Sequence, residues 1–177
     1  MRISWSQIRD NAIKFAKDFE NETSERAESQ TFYNEFFKIF GVSRRRVATF
    51  AEPTKKSSGG SGEIDLLWKG KIICEHKSKG KNLIKARKQA FDYFAGLKEQ
   101  DLPRYVLSSD FQNFNLLDLD TGEEIQTQAI IELLEKCPYL FLKDICRLRL
   151  DFLSQTQVKL FHTNEYVQKI RPLIIPK

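Results

Sequence analysis

The chain has 177 residues, enough for one domain of ordinary size with a small appendage. Its residues are 41% hydrophobic and 12% aromatic, with 14 Phe against one Met and two Trp, and a formal charge of +5 leans mildly toward polyanionic partners. No apolar stretch reaches membrane-spanning length, and Cys74, Cys137 and Cys146 have neither metal spacing nor a close pair, which points to reduced thiols in a cytoplasm.

The opening "MRISWSQIRD" is amphipathic and charged, the start of a fold and not a targeting segment. Residues 4–19 read as a helix, because Ile8, Ala12, Phe15 and Phe19 fall on one face of a 3.6-residue period. The polar "ENETS" breaks it. A second helix then runs to Phe40 on a stripe of Phe32, Phe36, Ile39 and Phe40, with Gly41 as its stop. "RRRVATFAEP" reads as a strand over 46–51 that ends before Pro53, and "TKKSSGGSG" as a flexible loop. Two strands follow over 63–68 and 71–77, split by "KGK", and then a helix over 82–99. Strands are expected over 104–109 and 114–119, "DTGEE" as a turn, and a helix over 128–136. The remaining residues are expected to be helical. The order describes a mixed α/β domain in which a meander feeds one crossover helix.

The chemistry gathers in "GEIDLLWKGKIICEHKSKGK", residues 62–81. If "KGK" is a three-residue hairpin loop centred on Gly70, paired residue numbers sum to 140, so Asp65 faces Glu75 and Leu67 faces Ile73. Side chains two apart on a strand share a face, which puts Asp65, Glu75 and Lys77 on one side of one hairpin. Two carboxylates at one point repel unless a cation lies between them. Oxygen ligands without a Cys or His cluster suit Mg²⁺ or Mn²⁺, and phosphodiester hydrolysis uses such a metal with a nearby ammonium. His76 alternates to the opposite face, so its backbone carbonyl is the better metal-ligand candidate. The bland alternative is a surface salt bridge at a strand end.

Other residues extend this reading. Glu25, Glu28 and Glu35 lie beside the apolar stripe of the second helix, and Glu28 or Glu35 is a candidate further ligand or water-orienting group. Gln89 and Tyr93, four apart on the crossover helix, are candidates to hold a phosphate or the lysine. Lys79, Lys81 and Lys85 flank the site in a lysine-rich run, and Arg44 and Arg45 belong to a second basic patch; both are candidate contacts to a phosphate backbone. His162 stands alone and reads as structural.

Asp65, then Glu75-x-Lys77, then a helix with Gln89-x-x-x-Tyr93, resembles the PD-(D/E)xK nuclease superfamily, although Ile64 stands where that pattern has Pro. The resemblance implies a restriction-endonuclease-like αβββαβ core, a central mixed sheet flanked by helices. The stretches "ERAESQTFYNEFFKIFGVSRRRVATF", "QAFDYFAGL" and "PRYVLSSDFQNFNLLDLDTGEE" are similar to the N-terminal endonuclease region of MmeI-like restriction–modification polypeptides, over residues 1–125. That likeness implies Mg²⁺-dependent cleavage of double-stranded DNA, with metal on Asp65 and Glu75 and a catalytic Lys77; Glu28, Gln30, Gln89 and Tyr93 carry over with them. No glycine-rich cofactor loop and no N-P-P-Y-type motif is present, so a methyltransferase and target-recognition module would lie elsewhere, in a longer chain or a partner. Residues 126–177 are expected to form a helical extension, the start of a linker to that module. Competing readings are a non-catalytic nucleic-acid-binding module on the same fold, a repair or recombination nuclease, and a protein-interaction domain.

Overall fold

The computed structural model describes residues 3–136. Helix α1 (Trp5–Asp18) opens with a reciprocal cap: Ser4 Oγ accepts from the Gln7 amide, and the Gln7 side chain accepts from the Ser4 amide. Helix α2 (Glu25–Ile39) ends at Gly41, whose φ of 68° is the left-handed geometry that glycine adopts at little cost. The apolar faces of the two helices meet through phenylalanines. Phe15 and Phe32 rings lie 4.9 Å apart, and Phe19 and Phe32 5.1 Å apart.

Six strands follow: β1 (Thr49–Lys55), β2 (Ser61–Trp68), β3 (Ile72–His76), β4 (Tyr105–Ser109), β5 (Phe114–Asp118) and β6 (Glu124–Thr127). They lie in sequence order across one sheet. All neighbours are antiparallel except β3 and β4, which are parallel and joined through α3 (Leu83–Asp92). Helix α4 (Ile130–Lys136) closes the described residues. The β2–β3 hairpin has the register expected of a loop centred on Gly70, with Leu67 opposite Ile73 and Gly70 at φ 70°.

The sheet separates two cores. Leu66, Trp68, Cys74, Leu107 and Leu116 pack with the residues of α1, α2 and α4, whereas Leu67, Ile73 and Val106 pack with Ala90 and Tyr93 on the α3 side. No helix among the described residues is long and apolar enough to cross a membrane.

Several boundaries differ from the sequence expectation. Arg44–Arg46 form a 3₁₀ turn, and β1 begins later and runs through Pro53, which pairs with Glu63. β1 has a neighbour on one side only, so a proline without an N–H is tolerated there. The expected flexible loop contracts to a tight hairpin turn, with Lys55 already paired to Ser61 and Asp92 binding Ser57 and the Ser58 amide. The crossover α-helix stops at Asp92 and continues as a 3₁₀ turn, Tyr93–Gly96. Strand β6 was not foreseen. The boundary expected after residue 125 falls inside β6, and Ile130, Leu133 and Leu134 of α4 are buried in the larger core, so residues 126–136 are part of the domain. The rest of the expected extension, with Cys137, Cys146 and His162, lies outside the described residues.

Candidate active site

Strand β3 is central and every residue of it is buried, because α2 and α3 cover its two faces. Glu75 follows Ile73 on the α3 side and has no exposed surface. Lys77, just past the strand, is anchored by its amide to the Ser109 carbonyl at 2.8 Å, and its side chain folds back so that Nζ donates to Glu75 Oε1 at 2.7 Å.

Asp65 joins them through an interruption in β2. The β1–β2 register skips the pair Ala51–Asp65, the β2–β3 register stops at Leu66–Cys74, and Ala51 sits at φ 51°, a left-handed conformation costly for a residue with a Cβ. Strict alternation also breaks here, since Ile64 packs on the α3 side with Leu67 although Leu66 packs on the other. The Asp65 carboxylate takes the bond that the ladder leaves open: Oδ2 accepts from the His76 amide at 2.7 Å.

The electrostatics follow from burial. Glu75 is pushed up to about 8 by burial and then by the negative charge of Asp65, against the opposing pull of Lys77. Asp65 is also raised by burial, less so because the His76 N–H and Lys77 favour its ionised form. Burial works to lower Lys77, but its hydrogen bond to Glu75 and the charges of Glu75, Glu25 and Asp65 prevail and raise it. Glu75 Oε2 is buried and accepts no hydrogen bond.

The structure brings Glu25 to this cluster. As the first residue of α2 it places Oε1 3.7 Å from Lys77 Nζ, while Oε2 accepts from the Ser78 amide at 3.1 Å. Glu28, the glutamate favoured from sequence, is half-buried and has no hydrogen bond or ion pair to Asp65, Glu75 or Lys77; Glu35 pairs with Lys38. A helical wheel ranks residues by angle around the helix, and what selects Glu25 is its height along the axis. Its position at the helix start, facing the loop after β3, is the signal that identifies it.

His76 turns its ring to the other face of the sheet. Nδ1 lies 3.0 Å from Ser109 Oγ, which is 3.2 Å from the Tyr33 hydroxyl, and the ring packs against Phe32 and Phe111. Burial, then Lys77, lowers this histidine to about 3, so it is neutral. The ring is therefore unavailable to the carboxylates, and only main-chain groups of His76 reach their side. The polar hub of Tyr33, Ser109 and His76 has no periodic signature in the sequence.

Gln89 Nε2 donates to the Tyr93 hydroxyl at 2.9 Å. Tyr93, expected on the DNA surface, is only 2% exposed and forms a wall beside the site; its hydroxyl is raised by burial and then, against the Gln89 hydrogen bond, by Glu75 and Asp65. Neither residue hydrogen-bonds Lys77. Lys79, Lys81 and Lys85 are exposed. Other members of the basic run are engaged: Arg87 pairs with Glu124 at 2.7 Å and Lys69 with Glu52 at 3.4 Å. Arg44, expected at a phosphate, donates to Asn34 and to the Ala48 carbonyl and stacks over Phe50 at 4.0 Å, whereas Arg45 is exposed. Arg44 thus staples α2 to β1.

Among the described residues, no three His, Cys, Asp or Glu side chains converge as a metal cluster. A buried carboxylate with an unpartnered oxygen and a half-buried one beside it do fit a hard cation that keeps most of its own water, and do not fit zinc.

The family model described as "MmeI, N-terminal domain" matches residues 10–171. Among solved structures the chain is similar to "cryoEM structure DrdV-DNA complex", at a TM-score of 0.50 and 16% identity, over 78% of this chain and 14% of that one. At that identity the likeness concerns the fold. No curated protein matches.

Proposed function

Because the chain belongs to the MmeI N-terminal domain family, we propose that it is the DNA-cleaving module of a restriction–modification enzyme, built on a PD-(D/E)xK core and hydrolysing phosphodiester bonds with Mg²⁺ or Mn²⁺. Asp65, Glu75 and Lys77 supply the chemistry. One observation carries the reading: a fully buried carboxylate, Glu75, lies within the field of Asp65 and is bound by Lys77 on one oxygen and by nothing on the other. A purely structural salt bridge has no use for the second carboxylate or for the unsatisfied oxygen, each of which costs stability.

Asp65 and Glu75 would hold the cation, with the His76 carbonyl as a further candidate. When bound, it neutralises the paired carboxylates and provides Lewis acidity at the phosphate. The ammonium of Lys77 stabilises negative charge that builds on the phosphoryl oxygens. Glu25 and Glu75 hold that ammonium from two sides and keep it protonated. Gln89 and Tyr93 form the wall that limits solvent access. Lys79, Lys81, Lys85 and Arg45 meet the DNA backbone beside the site.

The chain spans 14% of the DNA-complexed relative, so methylation and target recognition are assigned to other modules, in a longer polypeptide or a partner. The "DNA complex" in that relative's description supports DNA as the substrate. The test is plasmid cleavage by this chain and by Lys77→Ala in Mg²⁺, Mn²⁺ or EDTA. Metal-dependent nicking that the variant loses is expected. Cleavage that persists in EDTA, or equally in the variant, would overturn the assignment.

A further inference from the structure

Beyond the carboxylates, the α3 side of the sheet carries a polar row. Glu75, Ser108, Asn115 and Gln126 are register partners on β3, β4, β5 and β6, so their side chains stand abreast on one face. With strands about 4.8 Å apart, Asn115 lies about 10 Å and Gln126 about 14 Å along the row from Glu75. Ser108 is 0% and Asn115 3% exposed, yet Ser108 Oγ and Asn115 Oδ1 accept or donate no hydrogen bond. Buried polar atoms are nearly always paired, so unpaired ones in a line call for a ligand or water.

The row opens into a cleft of about 530 Å³ between the N-terminus of α3 and strands β5 and β6, lined by Asn82, Ile84, Phe114, Asn115, Gln126 and Gln128. Its floor is oriented by one residue. Glu124 Oε1 accepts from Asn115 Nδ2 at 2.7 Å and from Gln126 Nε2 at 2.6 Å. Arg87 pins the other carboxylate oxygen at 2.7 Å, and its hydrogen bond leads those that hold Glu124 down to about 2. With both amide NH₂ groups turned to Glu124, the carbonyl oxygen of the exposed Gln126 remains for an incoming donor, and that of Asn115 is left unpaired in the cleft floor. Glu132 also borders the cleft, but its oxygens are taken by the Gln128 amide and Lys136. The half-exposed Ile84 offers apolar surface to a flat ring. Asn82 caps α3, whose N-terminal amides favour an anion, and Lys81 and Lys85 are exposed beside it.

We propose that this cleft is a nucleoside subsite for the same strand whose phosphate lies at Glu75 and Lys77, and that it selects bases with an amino group on the major-groove edge, adenine or cytosine. The acceptors match that amino group; thymine presents a carbonyl oxygen there. The inference rests on the nuclease reading for its strand, but its test does not use cleavage.

The ¹⁵N-labelled full chain, in EDTA, is titrated with trinucleotides of deoxyadenosine, deoxycytidine or thymidine, and with the corresponding mononucleotides. The side-chain amide signals of Asn115 and Gln126 are followed. Adenine and cytosine trinucleotides are expected to shift both signals and to bind about tenfold more tightly than thymidine, an advantage that Gln126→Ala removes. Silent amides, or equal binding of thymidine, overturn the subsite. Mononucleotides that bind as tightly as trinucleotides overturn the strand assignment in favour of a free-nucleotide site. A chain that cuts plasmid while these amides stay silent loses the subsite and keeps the nuclease; the base-selective shifts in a chain that never cuts support the subsite and count against the nuclease.

Discussion

Lys77 Nζ lies 2.7 Å from Glu75 Oε1, and Glu75 has no exposed surface, so a half-buried lysine reaches in to a carboxyl held inside the protein. A buried carboxyl has little to stabilise its charge except its partner. Lys77→Ala removes the one cation bonded to it. The Glu75 titration midpoint, already at about 8, is then expected to move higher still. Carboxyl ¹³C NMR of the two proteins in EDTA measures it. A midpoint that falls, or stays in the ordinary carboxyl range, would contradict the burial argument.

The same pair predicts how metal-free stability depends on pH. Glu75 is raised to about 8 from an ordinary 4.5, so the folded state holds its proton more tightly and stability falls as pH rises through that window. His76 acts in the opposite sense. It is lowered to about 3 from 6.5, so its contribution to stability grows as pH rises from 3 to 6.5. The two offset each other between pH 4.5 and 6.5, and Lys77 stays charged throughout. The net decline should therefore appear between pH 6.5 and 8, at about 2 kcal/mol, and vanish in Glu75→Gln. Urea unfolding in EDTA at the two pH values gives the number directly.

Cation binding must displace the Glu75 proton. At pH 7 about one proton should be released per cation bound, dwindling above pH 8 where the carboxyl is already ionised. Titration calorimetry with Mn²⁺ in two buffers of different ionisation heat counts the protons. Asp65→Asn and Glu75→Gln should each abolish the heat. Unchanged binding in both variants would move the metal away from β2 and β3.

What could be read from the sequence divides along physical lines. The β2–β3 hairpin was legible because Gly70 fixes the turn and the apolar alternation fixes the register, which sets Glu75 two residues before Lys77; the interruption at Ala51 and Asp65, through which Asp65 reaches them, has no such signal. Strand β6 was not, because "EIQT" buries only Ile125 and Thr127 and lies at the sheet edge, where pairing and not hydrophobicity makes it a strand. The end of α3 was hidden because Tyr93, Phe94 and Leu97 continue an apolar pattern that a 3₁₀ turn serves as well as an α-helix. Glu25 and Arg44 were misjudged for one reason: composition shows that a charge exists, and only tertiary contacts decide what it pairs with.

That 3₁₀ turn makes a fold-level prediction. Gly96 presses against β1 so closely that a Cβ would meet Lys55 main-chain atoms at 2.6 and 2.7 Å. Backbone cannot swing aside as a side chain can. Gly96→Ala should cost about 1–3 kcal/mol in urea unfolding. A neutral result would mean that the Tyr93–Gly96 turn and β1 are not packed as described.

The hub behind the site can be tested against its own geometry. Ser109 Oγ is within hydrogen-bonding distance of both the Tyr33 hydroxyl and His76 Nδ1, and all three residues are buried. Ser109→Ala strands two buried polar groups, while Tyr33→Phe removes one partner and leaves the Ser109–His76 bond intact. Since a stranded buried group costs more than a lost bond contributes, Ser109→Ala should destabilise by about 2–4 kcal/mol and Tyr33→Phe by about 1 kcal/mol. Loss of the hub also frees the His76 main chain, whose amide holds Asp65 Oδ2 at 2.7 Å. Mn²⁺ affinity should therefore drop further in Ser109→Ala than in Tyr33→Phe, measured at a urea-free temperature where both remain folded. Equal stability losses in the two variants would show that the hydroxyls act independently and that β3 is positioned by its strand neighbours alone.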